Sequence, residues 1–206
     1  MIDFGTLAAV GAAFVIVAAS PGPANLAAAT VAVTHGRRVG LIFALGLSLG
    51  LWFWGLLAAT GVGAVLQTSA QALFVLKLLG AAYLLWLAFQ SARSAVRPGE
   101  MRAPQVSAQR WFFRGVILNM SNPKAVFAWM AALSVGLDPT DGIAAVIAAT
   151  ILCGLIGLVN ACGWALLFSQ NGVMRGYRRV RRWVDGVVAG LFAAASLGML
   201  RSAFAR

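Results

Sequence analysis

Ser20-Pro21-Gly22-Pro23-Ala24-Asn25 and Asn119-Met120-Ser121-Asn122-Pro123-Lys124 decide how this chain is read. Each falls inside a stretch that is otherwise apolar enough to cross a bilayer. Proline removes a backbone donor and clashes with the preceding turn, so each stretch breaks its helix and frees carbonyls and amides. Lipid cannot satisfy those groups, and broken backbone at membrane depth must face protein or a water-filled cavity. Broken spans at matching places in two halves of a chain point to the solute site of a transporter.

The rest of the composition agrees with a membrane setting. Of 206 residues, 61% are hydrophobic and only 10% charged, against roughly a quarter charged in soluble domains. The formal net charge of +11 would suggest nucleic acid in a soluble protein. Here the basic residues sit in short connections between apolar stretches, so topology and anionic lipid headgroups account for them and no nucleic-acid partner is expected. Met1-Ile2-Asp3 lacks the basic start of a signal peptide, so residues 1–20 read as a retained span.

Six apolar stretches can be marked at about 4–34, 39–66, 71–92, 111–136, 142–169 and 184–204, each near the ~20 residues that a span requires. As one unbroken helix the first would reach ~45 Å across a core of ~30 Å, an excess that a break at Pro21-Gly22-Pro23 removes. Arg37 and Arg38 follow span one; Arg93, Arg97, Arg102, Arg110 and Arg114 follow span three; Arg175, Arg178, Arg179, Arg181 and Arg182 follow span five. These odd connections hold 12 of the 16 basic residues, and the even ones hold none. The odd loops are therefore expected in the cytoplasm, with both termini outside. The polar run 93–110 separates repeat one (about 1–92) from repeat two (about 111–206), within a single transmembrane domain spanning 1–206. Three spans per half insert the second half upside down. The expected fold is thus all-α, six transmembrane helices as a 3+3 inverted repeat, broken at Pro21-Gly22-Pro23 and at Asn122-Pro123.

No catalytic, cofactor or metal constellation appears, and the chain does not read as an enzyme. His35 stands alone at a loop edge. Asp3, Glu100, Asp138, Asp141 and Asp185 lie in loops or near span ends, too scattered to ligate a divalent metal. Cys153 and Cys162 are nine apart, which is neither a redox pair nor a metal motif, and read as packing residues. Gly36/Gly40, Gly46/Gly50 and Gly186/Gly190 have the spacing that lets helices approach closely. Packing within the chain is the preferred reading, with a homodimer contact or a sliding surface between moving helices as the alternatives. The seven tryptophans read largely as interfacial anchors.

Polar groups gather at the breaks. A helix restarting after Pro23 aims free amides of Ala24 and Asn25 into the membrane interior, and such a start suits an anion such as a carboxylate. Pro123 opens a comparable start with Lys124 just inside it. A mid-span lysine costs at least ~2.5 kcal/mol on insertion scales, so it should face a cavity or partner. Either Lys124 binds a substrate carboxylate or it bonds the broken helix's carbonyls, and the residues alone leave both open. The candidate site is Ser20, Pro21, Gly22, Pro23, Ala24, Asn25, Asn119, Asn122, Pro123 and Lys124. Asn160 lies alone in span five and reads as a packing contact.

Pro21-Gly22-Pro23, the run Lys77-Leu78-Leu79-Gly80-Ala81-Ala82-Tyr83-Leu84-Leu85-Trp86-Leu87, and Phe113-Arg114-Gly115 leading into Asn119-Met120-Ser121-Asn122-Pro123-Lys124-Ala125 resemble the LysE/RhtB family. The resemblance covers nearly the whole chain and its motifs occur in order. It implies a bacterial inner-membrane exporter of amino acids or close derivatives, driven by the electrochemical gradient. Family members often carry Asn or Asp where Ala24 stands, and many carry an acid where Leu51 stands. Their absence here argues against cationic substrates and for a neutral amino acid. Two other classes compete: a membrane thiol redox conduit, which the cysteine spacing disfavours, and a non-transporting scaffold, which leaves the costly matched breaks without a reason.

Overall fold

The computed structural model describes residues 4–68, 70–96, 110–136 and 142–204, and every regular element among them is an α-helix. In chain order they are α1 (Phe4–Ala19), α2 (Pro23–His35), α3 (Arg37–Thr68), α4 (Ala70–Val96), α5 (Trp111–Met120), α6 (Pro123–Gly136), α7 (Ile143–Phe168) and α8 (Asn171–Phe204). Among the described residues, Arg37–Thr60, Ile143–Phe168 and Arg179–Arg201 are long and apolar enough to cross a membrane. Phe4–Ala19 and Pro23–His35 together make a fourth such stretch, bent by 57°.

Both breaks fall where proline dictates. α1 stops at Ala19, and α2 restarts with Pro23 in its first turn, where the missing N–H costs nothing. α5 ends at Met120, and α6 restarts at Pro123. The step from α2 to α3 is a single residue, Gly36, at φ 88, a left-handed conformation that glycine adopts freely.

Glycines set the tightest packing. A Cβ on Gly46 would strike the Phe112 carbonyl, one on Gly50 the Val116 carbonyl, and one on Gly115 the Phe43 carbonyl, so α3 and α5 lie backbone against backbone. Gly40 meets Ala32 of α2 in the same way. Packing within the chain therefore accounts for Gly40, Gly46 and Gly50. It does not account for Gly186 and Gly190, which are exposed on α8, where an added Cβ would meet nothing within 4 Å.

Phe14, Trp129, Leu133, Phe192 and Met199 lie in a main core built by α1, α6 and α8, and Phe43 and Leu47 lie in a second core under α2 and α3. Trp129 is not an interfacial anchor: it is fully buried, packs its ring 4.9 Å from that of Phe14 and donates from Nε1 to the Leu51 carbonyl at 2.9 Å. Outward positions such as Leu45, Leu49, Phe53, Leu56, Ile151, Leu155 and Val159 are exposed apolar side chains, as a lipid-facing surface requires.

The basic connection after span five is helix rather than loop. Arg175, Arg179, Arg181 and Arg182 ride on the first turns of α8, because this stretch has no proline to stop helix propagation. Arg182 donates to the Ala95 carbonyl at the end of α4. Asp185 is buried on α8 near the start of the last apolar stretch, where it accepts from Ser94 at 2.6 Å and faces Arg181 at 3.4 Å. Tyr177 packs against Phe168 at the end of α7, and His35 lies 4.5 Å from Trp111 at the start of α5. These contacts draw the arginine-bearing helix ends to one end of the bundle.

Candidate functional site

The two breaks meet. Lys124 Nζ, from the first turn of α6, donates to the Ser20 carbonyl at 2.7 Å and to Ser20 Oγ at 2.5 Å, at the end of α1. Gly22 makes that reach possible, since a Cβ there would press on Lys124 Nζ at 3.0 Å and its Cδ at 3.2 Å.

Each break is also stitched by its own asparagines. Asn25 Nδ2 donates to the Ala18 carbonyl at 2.7 Å and the Ser20 carbonyl at 3.0 Å, satisfying acceptors that the end of α1 would leave orphaned. Across the site, Asn119 Nδ2 donates to the Leu47 carbonyl of α3 at 2.7 Å. Asn122 Nδ2 donates to Asn119 Oδ1 at 3.2 Å, while Asn122 Oδ1 accepts the Lys124 amide at 3.1 Å. The α6 start is thereby capped by Asn122. The α2 start at Gly22 has no side-chain cap.

Between the breaks lies a cavity of ≈ 50 Å³, bounded by Gly22, Ala24, Asn25, Asn119, Asn122 and Lys124 on its polar side. Phe14, Val17, Leu47, Leu51, Ala128 and Gly157 form its apolar side. Of the ten expected residues, six line the cavity. Ser20 is buried and joined to Lys124, and Pro21, Pro23 and Pro123 shape the backbone at the breaks.

Asn160 makes the interhelical contact expected of it and also stands beside this group. Its Nδ2 donates to the Ala18 carbonyl at 3.1 Å and to Asn25 Oδ1 at 3.0 Å, and its side chain borders the cavity from α7. A single asparagine in so apolar a helix was the available signal. Among the described residues, Lys124 is the one titratable side chain on the cavity wall. Asp185, the one acidic residue among those described, is engaged with Ser94 and Arg181 instead. Cys153 is buried in the core and Cys162 partly buried, both as free thiols. Among the described residues no cluster of three metal-ligating side chains occurs. Lys77's side chain and the acids Asp3, Glu100, Asp138 and Asp141 lie outside the described residues.

A family model described as LysE type translocator matches residues 15–202. The threonine efflux protein of Salmonella typhimurium is 28% identical over 207 residues, covering 98% of this chain and 99% of its own. That of Escherichia coli K12 is 27% identical over 194 residues, covering 89% and 91%. The cysteine/O-acetylserine efflux protein of Escherichia coli K12 is 31% identical over 165 residues, covering 76% and 83%. No solved structure matches the chain.

Proposed function

This chain belongs to the LysE type translocator family, a membrane transporter and not an enzyme, and on that premise we propose that it exports small neutral amino acids or close derivatives from the bacterial cytoplasm. The solute site is the cavity between the breaks, formed by Ser20, Pro21, Gly22, Pro23, Ala24, Asn25, Asn119, Asn122, Pro123 and Lys124, with Asn160 added. The observation that carries this reading is the convergence of the two breaks on a small cavity whose described lining includes the Lys124 amine and no carboxylate side chain. A carboxylate is suited to the uncapped α2 start and to Lys124. An ammonium is suited to the carbonyls left at the end of α1. An additional cationic side chain would find no acid to pair with, which favours neutral solutes. Relatives named for threonine and for cysteine or O-acetylserine support a compact, uncharged side chain.

The transport cycle is alternating access within one domain, residues 1–206, arranged as six spans in a 3+3 inverted repeat. The spans are α1 with α2, α3, α4, α5 with α6, α7 and α8. Pairings that exchange under such a repeat support it: α3 packs on α5 as α7 packs on α1, and the counterparts α4 and α8 pack on each other. The arginine-rich end faces the cytoplasm and the termini the periplasm. Membrane lipid surrounds the bundle, and a homodimer would use the open glycine face of α8.

Lys124→Met, assayed in proteoliposomes with a labelled amino-acid panel, is expected to lose at least ~10-fold of the initial export rate while inserting normally. Undiminished export by that variant would refute the lysine's role. Movement of cationic amino acids alone by the unaltered protein would overturn the neutral preference.

A further inference from the structure

Among the described residues no acid faces Lys124. Its terminal amine directs two N–H groups at Ser20, at the carbonyl at 2.7 Å and at Oγ. The Ser20 hydroxyl spends its own proton on the Val17 carbonyl at 2.7 Å, so it turns only lone pairs toward the lysine. Asn25 and Asn160 fix the neighbouring Ala18 and Ser20 carbonyls by donating to them. These oxygens also crown the C-terminal end of α1, the partly negative pole of that helix. Toward Lys124 Nζ both Ser20 oxygens accept, and what sits on them is a primary amine group.

We propose that the Ser20 oxygens form the subsite for the solute's ammonium, and that Lys124 occupies it as a tethered stand-in whenever no solute is bound. On binding, the solute's ammonium takes the Ser20 oxygens, and Lys124 Nζ moves to the solute's carboxylate. One ammonium sits on the cradle in both states, so Ser20 Oγ is not left without a donor at membrane depth. Gly22 serves this exchange by leaving the lysine stem room to lie over the break. The inference rests on the cavity being the solute site, but its test is one of binding and not of transport.

Purified protein in detergent is heated with ethylammonium chloride, with potassium chloride at equal ionic strength as the control. Lys124→Ala vacates the cradle, and ethylammonium at about ten times its dissociation constant is expected to raise that variant's melting temperature by roughly 3–5 °C. The unaltered protein, its cradle filled, should not shift, and Lys124→Ala combined with Ser20→Ala, which keeps the backbone carbonyl but loses Oγ, should shift less than Lys124→Ala alone. If Lys124→Ala does not fold, Lys124→Met with ammonium chloride replaces it, because methionine ends one atom short of Nζ and leaves that atom's place open. A shift in neither protein, or equal shifts in both, overturns the proposal. Either result leaves amino-acid export to be decided separately by the vesicle assay, and failure of export would not change the ammonium result.

Discussion

Replacing Asn160 by alanine removes one donor from the Ala18 carbonyl and one from Asn25 Oδ1. Hydrogen bonds inside membrane proteins average well under ~2 kcal/mol, so Asn160→Ala should lower stability by about 1 kcal/mol, read as a melting-temperature drop of roughly 2–4 °C. Its export rate should fall further than that loss of stability alone explains, because the carbonyls beside Ser20 lose their orientation. Tyr177 presents the opposite case. Its hydroxyl is buried with no hydrogen-bond partner among the described residues, and burial, with Asp185's charge second, pushes its phenol up to about 12. Below pH 10 the phenol is protonated in both folded and unfolded chains. Between about 10 and 12 only the unfolded chain ionises there, so stability falls as pH rises through that window. Tyr177→Phe should flatten this alkaline limb in a thermal-shift series and be neutral or stabilising by up to ~1 kcal/mol at pH 7. Proline, glycine and a mid-span lysine marked the candidate site in the sequence because each is costly in a lipid-embedded helix. Asn160 did not: its partners lie 135 and 142 residues away, and one polar residue in a span is just as compatible with ordinary packing.

At the scale of helices, glycine spacing alone did not reveal which pairs pack. Gly46/Gly50 and Gly186/Gly190 have the same spacing, yet the first pair is pressed on the carbonyls of α5 while the second faces outward with open space around it. The difference depends on which side of its helix each pair lies, and that is fixed only once neighbours are in place. Gly46→Ala should therefore destabilise by about 1–3 kcal/mol or more, since backbone cannot yield as a side chain does. Gly186→Ala should leave the melting temperature unchanged or raise it, alanine being the better helix former by up to ~1 kcal/mol. Boundaries read from hydrophobicity matched most helices, but α8 runs on through its arginines. Charge marks where a helix leaves the apolar layer, not where its hydrogen bonding ends.

For the whole molecule, all-helical architecture and membrane residence were legible in composition, and the gathering of arginines at one end agrees with their loop-by-loop distribution. Orientation is testable. Alkaline phosphatase fused after Arg206 should be active, and the same reporter within residues 97–109 inactive; a green fluorescent protein at each site should show the reverse. Active phosphatase in the central connection would invert the assignment.

The abutting glycines of α3 and α5 have a mechanical consequence. With no side chains between them, two backbones in contact have little slack to shear, so α3 and α5 travel as one beam even though they come from opposite halves of the chain. The 57° elbow ahead of α2 is held differently, by hydrogen bonds from Asn25, Asn160 and Lys124 to Ala18 and Ser20, and such bonds can be exchanged where abutting backbones cannot be reshaped.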